Sequence, residues 1–99
     1  MSLPLESHPA VDRDISDAFD WYERQSTGLG GDFDRELDRV FDEIEANPAR
    51  FGFAEQNVRE GAMRRFTSYA IYYRVQRNRI QVIAVWHTSR DPAGWRARL

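Results

Sequence analysis

The 99-residue chain has room for one domain with one core, and its 41% hydrophobic and 13% aromatic residues are too many for a disordered chain. The absence of Cys and the presence of only two His exclude a disulfide framework and argue against a structural zinc site, so no metal and no cofactor are expected. No run of about 18 apolar residues and no signal-like N-terminus occurs, which predicts a cytoplasmic protein; Met1-Ser2-Leu3, native or added for expression, carries no weight.

The formal net charge of −2 conceals an uneven distribution of charge along the chain. Residues 1–50 hold 13 Asp and Glu against 5 Arg, which gives −8, whereas residues 51–99 hold 3 against 9, which gives +6. All 14 basic residues are Arg, whose planar guanidinium can bind a carboxylate or a phosphate through two hydrogen bonds. The basic half therefore either binds an anionic partner or attracts the acidic half within the fold, and composition leaves both interpretations open.

The first half of the chain predicts two helices. Ser7-His8-Pro9 is typical of a helix start, and apolar residues then recur every three or four positions until about Gln25. After a short Gly-rich connection, a second apolar stripe runs from Phe33 to Ile44 and ends before Asn47-Pro48. Because so few residues join the helices, they should form an antiparallel hairpin with one apolar side and one acidic side.

The second half of the chain predicts an antiparallel β-meander. Phe51-Gly52-Phe53 is typical of a loop, and three segments rich in β-branched and aromatic residues follow, at about Val58 to Phe66, Tyr69 to Gln76 and Arg79 to His87. The two breaks between these segments are two residues long, which is the spacing of tight hairpins. In the middle strand, successive side chains point to opposite faces, and the face predicted as buried carries Tyr69, Ile71, Tyr73 and Val75.

The last strand is apolar on both faces, which is typical of a central strand. One face should carry Ile80, Val82, Ala84 and Trp86, and the other Ile83 and Val85. Leu3 to Glu6 is a candidate N-terminal strand that would pair with this last strand, and Asp91-Pro92 is typical of the start of a short helical turn around Trp95. The sequence therefore predicts a single α+β domain over residues 1–99 in the order β-α-α-β-β-β, with the helical hairpin packed on one face of the sheet.

Four segments in this order resemble the successive signatures of the RelE/ParE family of toxins, of the plasmid-stabilisation kind. They are DAFDWYERQSTGLGGDF, IEANPARF, RRFTSYAIYYRV and IQVIAVWHTSRDP, and the resemblance spans about Ala10 to Arg96. It implies a growth-inhibiting toxin of a type II toxin–antitoxin system, with the RelE/ParE-like fold and no cofactor. It also implies a cognate antitoxin that holds the toxin inactive, and it leaves open a toxin homodimer and a toxin–antitoxin heterotetramer.

Two activities occur on the fold of this family, inhibition of DNA gyrase and cleavage of messenger RNA on the ribosome, so the fold alone cannot choose between them. The resemblance implies that RelE-type ribonucleases carry basic residues at the positions of Gly61, Met63 and Ala70, where this chain has none. The ending His87-Thr88-Ser89-Arg90 is closer to the ParE branch. We therefore expect a protein-binding toxin that inhibits gyrase. A ribosome-dependent endoribonuclease is the alternative, and an inactive solo family member is a third hypothesis.

Seven residues are candidates for binding the target or the antitoxin: Arg64, Arg65, Arg74, His87, Arg90, Trp95 and Arg96. In a ribonuclease, Arg65, His87 and Arg90 would be the catalytic candidates, because cleavage needs a cation or an acid near the scissile phosphate. As neighbours in a strand, Arg64 and Arg65 should point to opposite faces, so we expect one to meet a helix acid and Arg65 to contact the partner, outside the face of Phe66. His87 could instead order a loop, and Trp95 is more often an anchor on the sheet than a stacking platform for a base.

Overall fold

The structure, a computed structural model that describes residues 2–99, contains a five-stranded sheet with two helices on one face. The elements in chain order are β1 (Leu5–Ser7), α1 (Val11–Gln25), α2 (Leu29–Ala46), β2 (Phe53–Glu55), β3 (Val58–Ala62), β4 (Tyr69–Val75), β5 (Ile80–His87) and α3 (Ala93–Arg96). The strand order is β1-β5-β4-β3-β2, with β1 parallel to β5 and the other pairs antiparallel. The predicted α+β architecture is confirmed. Met1 lies outside the described residues.

The helical hairpin forms where the apolar periodicity predicted it. The residues that α1 and α2 bury are Val11, Ala18, Tyr22, Gly30, Phe33, Leu37, Val40 and Ile44. The turn between the helices needs glycine at Gly28, whose φ of 90° lies in the left-handed region. The Glu23 carboxylate accepts the N–H groups of Gly28 and Gly30 at 2.9 and 3.0 Å, so a side chain of α1 satisfies donors at the start of α2.

Strand β5 lies inside the sheet, between β1 and β4, as its two apolar faces predicted. Leu5 is opposite Ile80, and the pairing extends by one further bond, from the His8 N–H to the Val82 carbonyl at 2.8 Å. Because β1 is so short, it covers only the first three residues of β5. The rest of β5, Ile83 to His87, therefore has a strand neighbour only on the side of β4.

The strands before β4 depart from the prediction in two places. Phe53, predicted as the end of a loop, begins the edge strand β2 (Phe53–Glu55), which is too short and too exposed to show a periodic pattern. Strand β3 ends at Ala62 and not at Phe66, and a six-residue loop joins it to β4. Phe66 has φ 60°, which a strand cannot contain, and its ring packs edge-on against Phe33. The aromatic and apolar residues of this loop therefore gave it the sequence pattern of a strand.

A bulge in β5 changes which of its side chains share a face. Tyr72 pairs with Ala84 and Tyr73 pairs with Val82, which leaves Ile83 without an opposite residue. The helix-covered face carries Ile80, Val82 and Val85, and the other face carries Ile83, Ala84 and Trp86. The sequence analysis assigned alternate residues of the whole strand to opposite faces, without a bulge. Its assignments of Ala84, Val85 and Trp86 are therefore wrong.

Each face of the sheet carries its own apolar cluster. The larger one lies under α1 and α2, and we call the smaller one, on the opposite face, the second cluster: Val58, Ala70, Tyr72, Ile83, Ala84, Trp86 and Trp95. Trp95 of α3 stacks on Tyr72 with ring centroids 4.7 Å apart, which confirms that Trp95 is an anchor on the sheet. Val75, predicted as buried, is 43% exposed because it is the last residue of β4. Within residues 2–99, no helix is both long enough and apolar enough to cross a membrane.

Candidate functional site

Arg64 and Arg65 lie in the loop after β3 and both face acids of α2. The Arg64 guanidinium is 3.6 Å from the Glu43 carboxylate, and that of Arg65 is 3.3 Å from Asp32. The Arg65 side chain also lies over the ring of Phe66, 4.8 Å from its centroid. The predicted separation of the two arginines onto opposite faces of a strand is therefore wrong, because neither residue is in a strand and both stabilise the loop.

The loop is also held by the backbone of Arg65. Its N–H donates to the Glu36 carboxylate at 3.0 Å. Burial raises the pKa of Glu36, but this hydrogen bond and the guanidinium of Arg39 outweigh the burial, so that the pKa lies below its usual value. Glu36 is thus a charged anchor of the loop at neutral pH.

Arg74 is not brought close to the other candidates. It pairs with Gln81 near the far end of β4, and its Nε donates to the Gln81 side-chain oxygen at 2.9 Å. His87, by contrast, is opposite Tyr69 at the first residue of β4. The length of the strand therefore separates Arg74 from His87.

His87 and Arg90 share one turn at the end of β5. The Arg90 N–H donates to the His87 carbonyl at 3.0 Å. The Nδ1 atom of His87 accepts the Ser89 N–H at 3.2 Å and lies 2.7 Å from the Ser89 hydroxyl oxygen. These bonds order the turn, which is the structural role that the sequence analysis set beside acid–base chemistry.

Arg90 is exposed and is held in place by an aromatic ring. Its guanidinium carbon lies 3.8 Å from the ring centroid of Trp86, a distance typical of stacking. The ion pairs found between residues 2 and 99 do not include Arg90. The Arg90 guanidinium therefore stacks on a ring and keeps N–H donors that a carboxylate or phosphate could accept.

Arg96 and Trp95, two further candidates, fix α3 to the sheet. The Arg96 Nε donates to both oxygens of Glu55 at 3.0 and 2.9 Å, which ties α3 to the edge strand β2. Trp95 is buried against Tyr72, so neither of its faces is free to stack on a base. Both residues therefore have structural roles.

The strongest polar contact of the region, between Asp14 and Arg98, was missed by the sequence analysis. Two guanidinium nitrogens donate to the two Asp14 oxygens at 2.6 and 2.9 Å. The same pair also binds the open side of β5, because Arg98 donates to the Ile83 carbonyl at 3.0 Å and Asp14 accepts the Val85 N–H at 3.1 Å. Two side chains thus supply the hydrogen bonds that a longer β1 would have made. No sequence pattern joins residues that are 84 positions apart.

A pocket of about 160 Å³ lies between α1 and the end of the sheet. Its lining residues are Trp21, Tyr22, Ser68, Tyr69 and His87, and we call it the aromatic pocket. The Trp21 side chain on α1 is 49% exposed. Burial raises the pKa of the Tyr22 hydroxyl and that of the Tyr69 hydroxyl above their usual value, so both groups stay protonated at neutral pH.

A groove of about 560 Å³ lies beside the aromatic pocket. It is lined by His8, Pro9, Ala10, Arg13, Asp14, Asp17, Arg90 and Arg98, and we call it the charged groove. The pocket and the groove adjoin, because Asp17 precedes Trp21 by one turn of α1 and Arg90 follows His87 in one turn of backbone. The candidate site is therefore a surface at the end of β5 that joins apolar rings to arginines.

The chemistry available at this surface is that of an imidazole and a guanidinium beside aromatic rings. The imidazole of His87 is the side chain of the pocket that could transfer a proton, but its Nδ1 faces Ser89 and not a carboxylate that would orient it. Among the described residues, no cluster of three or more His, Asp or Glu could hold a metal ion. What the site offers is a preformed cavity, a half-exposed Trp and an ordered guanidinium.

Comparison with known proteins agrees with the fold. Residues 5–92 match the family model described as the ParE toxin of type II toxin-antitoxin system, parDE. A solved structure titled "Chromosomal ParDE TA system from P. aeruginosa" has the same fold, with a TM-score of 0.75 at 12% identity, over 86% of this chain and 95% of that chain. No curated protein matches the sequence closely enough to add to these findings. Because the family model covers most of its length, the chain belongs to the ParE toxin family of type II toxin–antitoxin systems.

Proposed function

We propose that this toxin arrests growth by binding DNA gyrase and that its antitoxin holds it inactive. Membership of the ParE toxin family supports the pairing with an antitoxin. The site at the end of β5 supports a binding activity, because it offers contact surface and no arranged acid, base and nucleophile. Stabilisation of a plasmid and location in the cytoplasm remain predictions from the sequence.

The observation that carries the proposal is the burial of three positions. Gly61, Met63 and Ala70, where RelE-type ribonucleases are expected to carry cations, are all buried in this chain. A Cβ on Gly61 would lie 3.3 Å from the Cδ1 atom of Ile44, so this position faces the core beneath α2. A cation at any of the three would be desolvated and could not reach a phosphate from there. At these three positions the chain therefore has neither the charges nor the exposed surface that this chemistry would need.

A supercoiling assay checks the proposal directly. The purified toxin should inhibit supercoiling of relaxed plasmid by gyrase, and addition of the antitoxin encoded with it should restore the activity. His87→Ala should change this inhibition less than Arg90→Glu, because a binding surface needs no proton transfer. Undiminished supercoiling at a large excess of toxin would contradict the gyrase target.

The ribonuclease alternative depends on one specific feature, the turn that joins His87 to Arg90. Arg65, the third residue proposed for catalysis, is directed to Asp32 of α2 and not to this turn. The alternative predicts that induction produces cuts in messenger RNA at mapped positions and that His87→Ala abolishes them. Intact transcripts in growth-arrested cells would exclude it. Normal growth on induction would instead indicate an inactive family member.

A further inference from the structure

The aromatic pocket has the volume of one side chain and an unusual degree of exposure. Its 160 Å³ is close to the volume of about 150 Å³ at which an apolar protein cavity binds benzene. Trp21 is 49% exposed, whereas the other two tryptophans are 2% exposed. A large apolar side chain beside an unfilled cavity is typical of a surface that contacts another molecule.

The rings of the pocket are held in place by the fold. Tyr69 and His87 are cross-strand partners whose rings meet edge-on at 5.2 Å. Tyr22 meets Trp21 edge-on at 5.2 Å, and on its other side it stacks on the buried ring of Phe33. A ligand would therefore not need to order these rings, which lowers the entropy lost on binding.

The charged groove beside the pocket carries more positive than negative charge. Three arginines and two aspartates line it. Arg98 and Asp14 neutralise each other, and Arg13 is only loosely paired with Asp17, at 3.9 Å between two exposed side chains. Arg90 is left without an acid partner among residues 2–99. The charge that this surface lacks is thus a carboxylate near Arg90.

The two features adjoin closely enough for one segment to occupy both. The pKa of Tyr69, raised mainly by burial, also responds to the charges of Arg90 and Asp17, so both charges lie near the pocket. Residues adjacent in an extended or helical segment could therefore place an apolar side chain in the pocket and an acid in the groove.

We propose that the aromatic pocket and the charged groove together form the docking surface of the antitoxin, which inserts one apolar side chain beside Trp21 and places a carboxylate on Arg90. The apolar lining and the unpaired guanidinium are the complement of an acidic segment with an apolar residue next to its acid. This assignment rests on the proposed function only in that an antitoxin binds the chain.

Trp21 provides a spectroscopic probe of docking. In the free toxin, acrylamide should quench Trp21 and leave the two buried tryptophans nearly untouched. Binding of the purified antitoxin should protect Trp21 and shift its emission to the blue. The same titration with Trp21→Phe should show neither change, which separates the signal of this residue from that of the antitoxin.

Affinity measurements with matched variants complete the experiment. Trp21→Ala and Arg90→Glu should each weaken antitoxin binding by about 30-fold, the effect of losing an interface hot spot. Phe53→Ala and Arg77→Glu make comparable changes at exposed positions outside the pocket and groove and should alter binding by less than about 2-fold. Circular dichroism of each variant shows whether it is folded, which is expected because all four side chains are exposed.

The outcomes separate the docking surface from the target. Antitoxin binding that is unchanged in folded Trp21→Ala and Arg90→Glu would overturn the assignment. Loss of gyrase inhibition in these variants, with antitoxin binding intact, would also overturn it and assign the surface to gyrase. A wild-type toxin that binds antitoxin through Trp21 but leaves gyrase unaffected would support the docking surface and contradict the proposed target.

Discussion

The two faces of the sheet are covered by different amounts of chain and by different interactions. One face is covered by α1 and α2, which are 15 and 18 residues long and contribute buried aliphatic and aromatic side chains. The other face is covered by α3 and its flanks, which are fixed by a Trp stack and by ion pairs to β2 and α1. The first face depends on a large apolar core, whereas the second depends on a smaller apolar cluster together with ion pairs.

This difference explains where the candidate site lies. The aromatic pocket borders the helix-covered face, and Arg90 borders the second cluster, so that the site spans the boundary of the two faces. The apolar side supplies rigid rings, and the polar side supplies a fixed guanidinium. Substitutions on the two faces should therefore differ in size and in their dependence on salt and pH.

The largest effect is expected from Phe33→Ala in the helix-covered core. Phe33 is fully buried and contacts the rings of Tyr22, Phe66 and Tyr69. We expect a loss of about 4 kcal/mol in the free energy of unfolding, because the substitution leaves a large cavity. Urea denaturation at low and high salt measures it, and the loss should be the same at both salt concentrations. A loss that depends strongly on salt would contradict the conclusion that this face is held by apolar burial.

A smaller effect is expected from Asp14→Asn, which leaves Arg98 largely buried without its counter-charge. The loss should be about 3 kcal/mol, near the lower limit for a broken buried pair, because Arg98 is not fully enclosed. Asp17→Asn is the matched control at an exposed pair and should change stability by less than about 0.5 kcal/mol. Equal effects of the two substitutions would show that Asp14 and Arg98 do not hold the second face.

Gly94→Ala should act on the second face alone. The new Cβ would lie 2.6 Å from two atoms of the Trp86 ring, so α3 must shift, at about 2 kcal/mol. Gly31→Ala in α2 is the control, since its Cβ would be 3.6 Å from the end of the Arg35 side chain and should fit. Hydrogen exchange should become faster at α3 in Gly94→Ala and stay unchanged at α2. Faster exchange in α1 or α2 would contradict the separation of the two faces.

The smallest effect is expected from Tyr72→Phe. The Tyr72 hydroxyl donates to Glu60 at 2.7 Å, and removing this bond should reduce stability at pH 7 by about 1 kcal/mol. Burial and the Glu60 carboxylate raise the pKa of Tyr72 far above 10.0. The unfolded chain releases this proton near pH 10 and the folded chain retains it, so the contribution is complete below pH 10 and is lost as the pH rises.

Urea denaturation between about pH 8 and pH 11 measures this linkage. Stability of the wild type should fall as the pH rises above 10, and in Tyr72→Phe it should fall less steeply. Part of the slope should remain, because burial also raises the pKa of Tyr22, Tyr69 and Tyr73. An identical slope in both proteins would contradict the role of Tyr72.

The helical half of the fold could be predicted from the sequence because each helix repeats its apolar residues over several turns. The stripe of α2, for example, continues from Phe33 to Ile44, all of it on one buried side. The pairing of β1 with β5 was also predictable, since a strand that is apolar on both faces needs two neighbours. The predicted strand, Leu3 to Glu6, is shifted by one or two residues from the observed Leu5–Ser7.

The errors arise where one residue changes the geometry of the backbone. The positive φ of Phe66 ends the strand-like segment early, and the bulge at Ile83 reverses the faces of β5. The regular alternation of side chains in a strand therefore predicted wrong positions for Arg65 and Trp86. Among the predicted site residues, His87 and Arg90 are brought together, whereas the exposure of Trp21 depends on how α1 meets the sheet.

The Asp14–Arg98 pair also has a consequence for the order of folding. Hairpin β4–β5 forms between close neighbours in sequence, but this pair closes a separation of 84 residues and should form late. Until then the Ile83 carbonyl and the Val85 N–H are an unpaired strand edge, which another chain could bind. During refolding at high concentration, self-association should therefore begin at this side of β5, and early closure of the pair should suppress it.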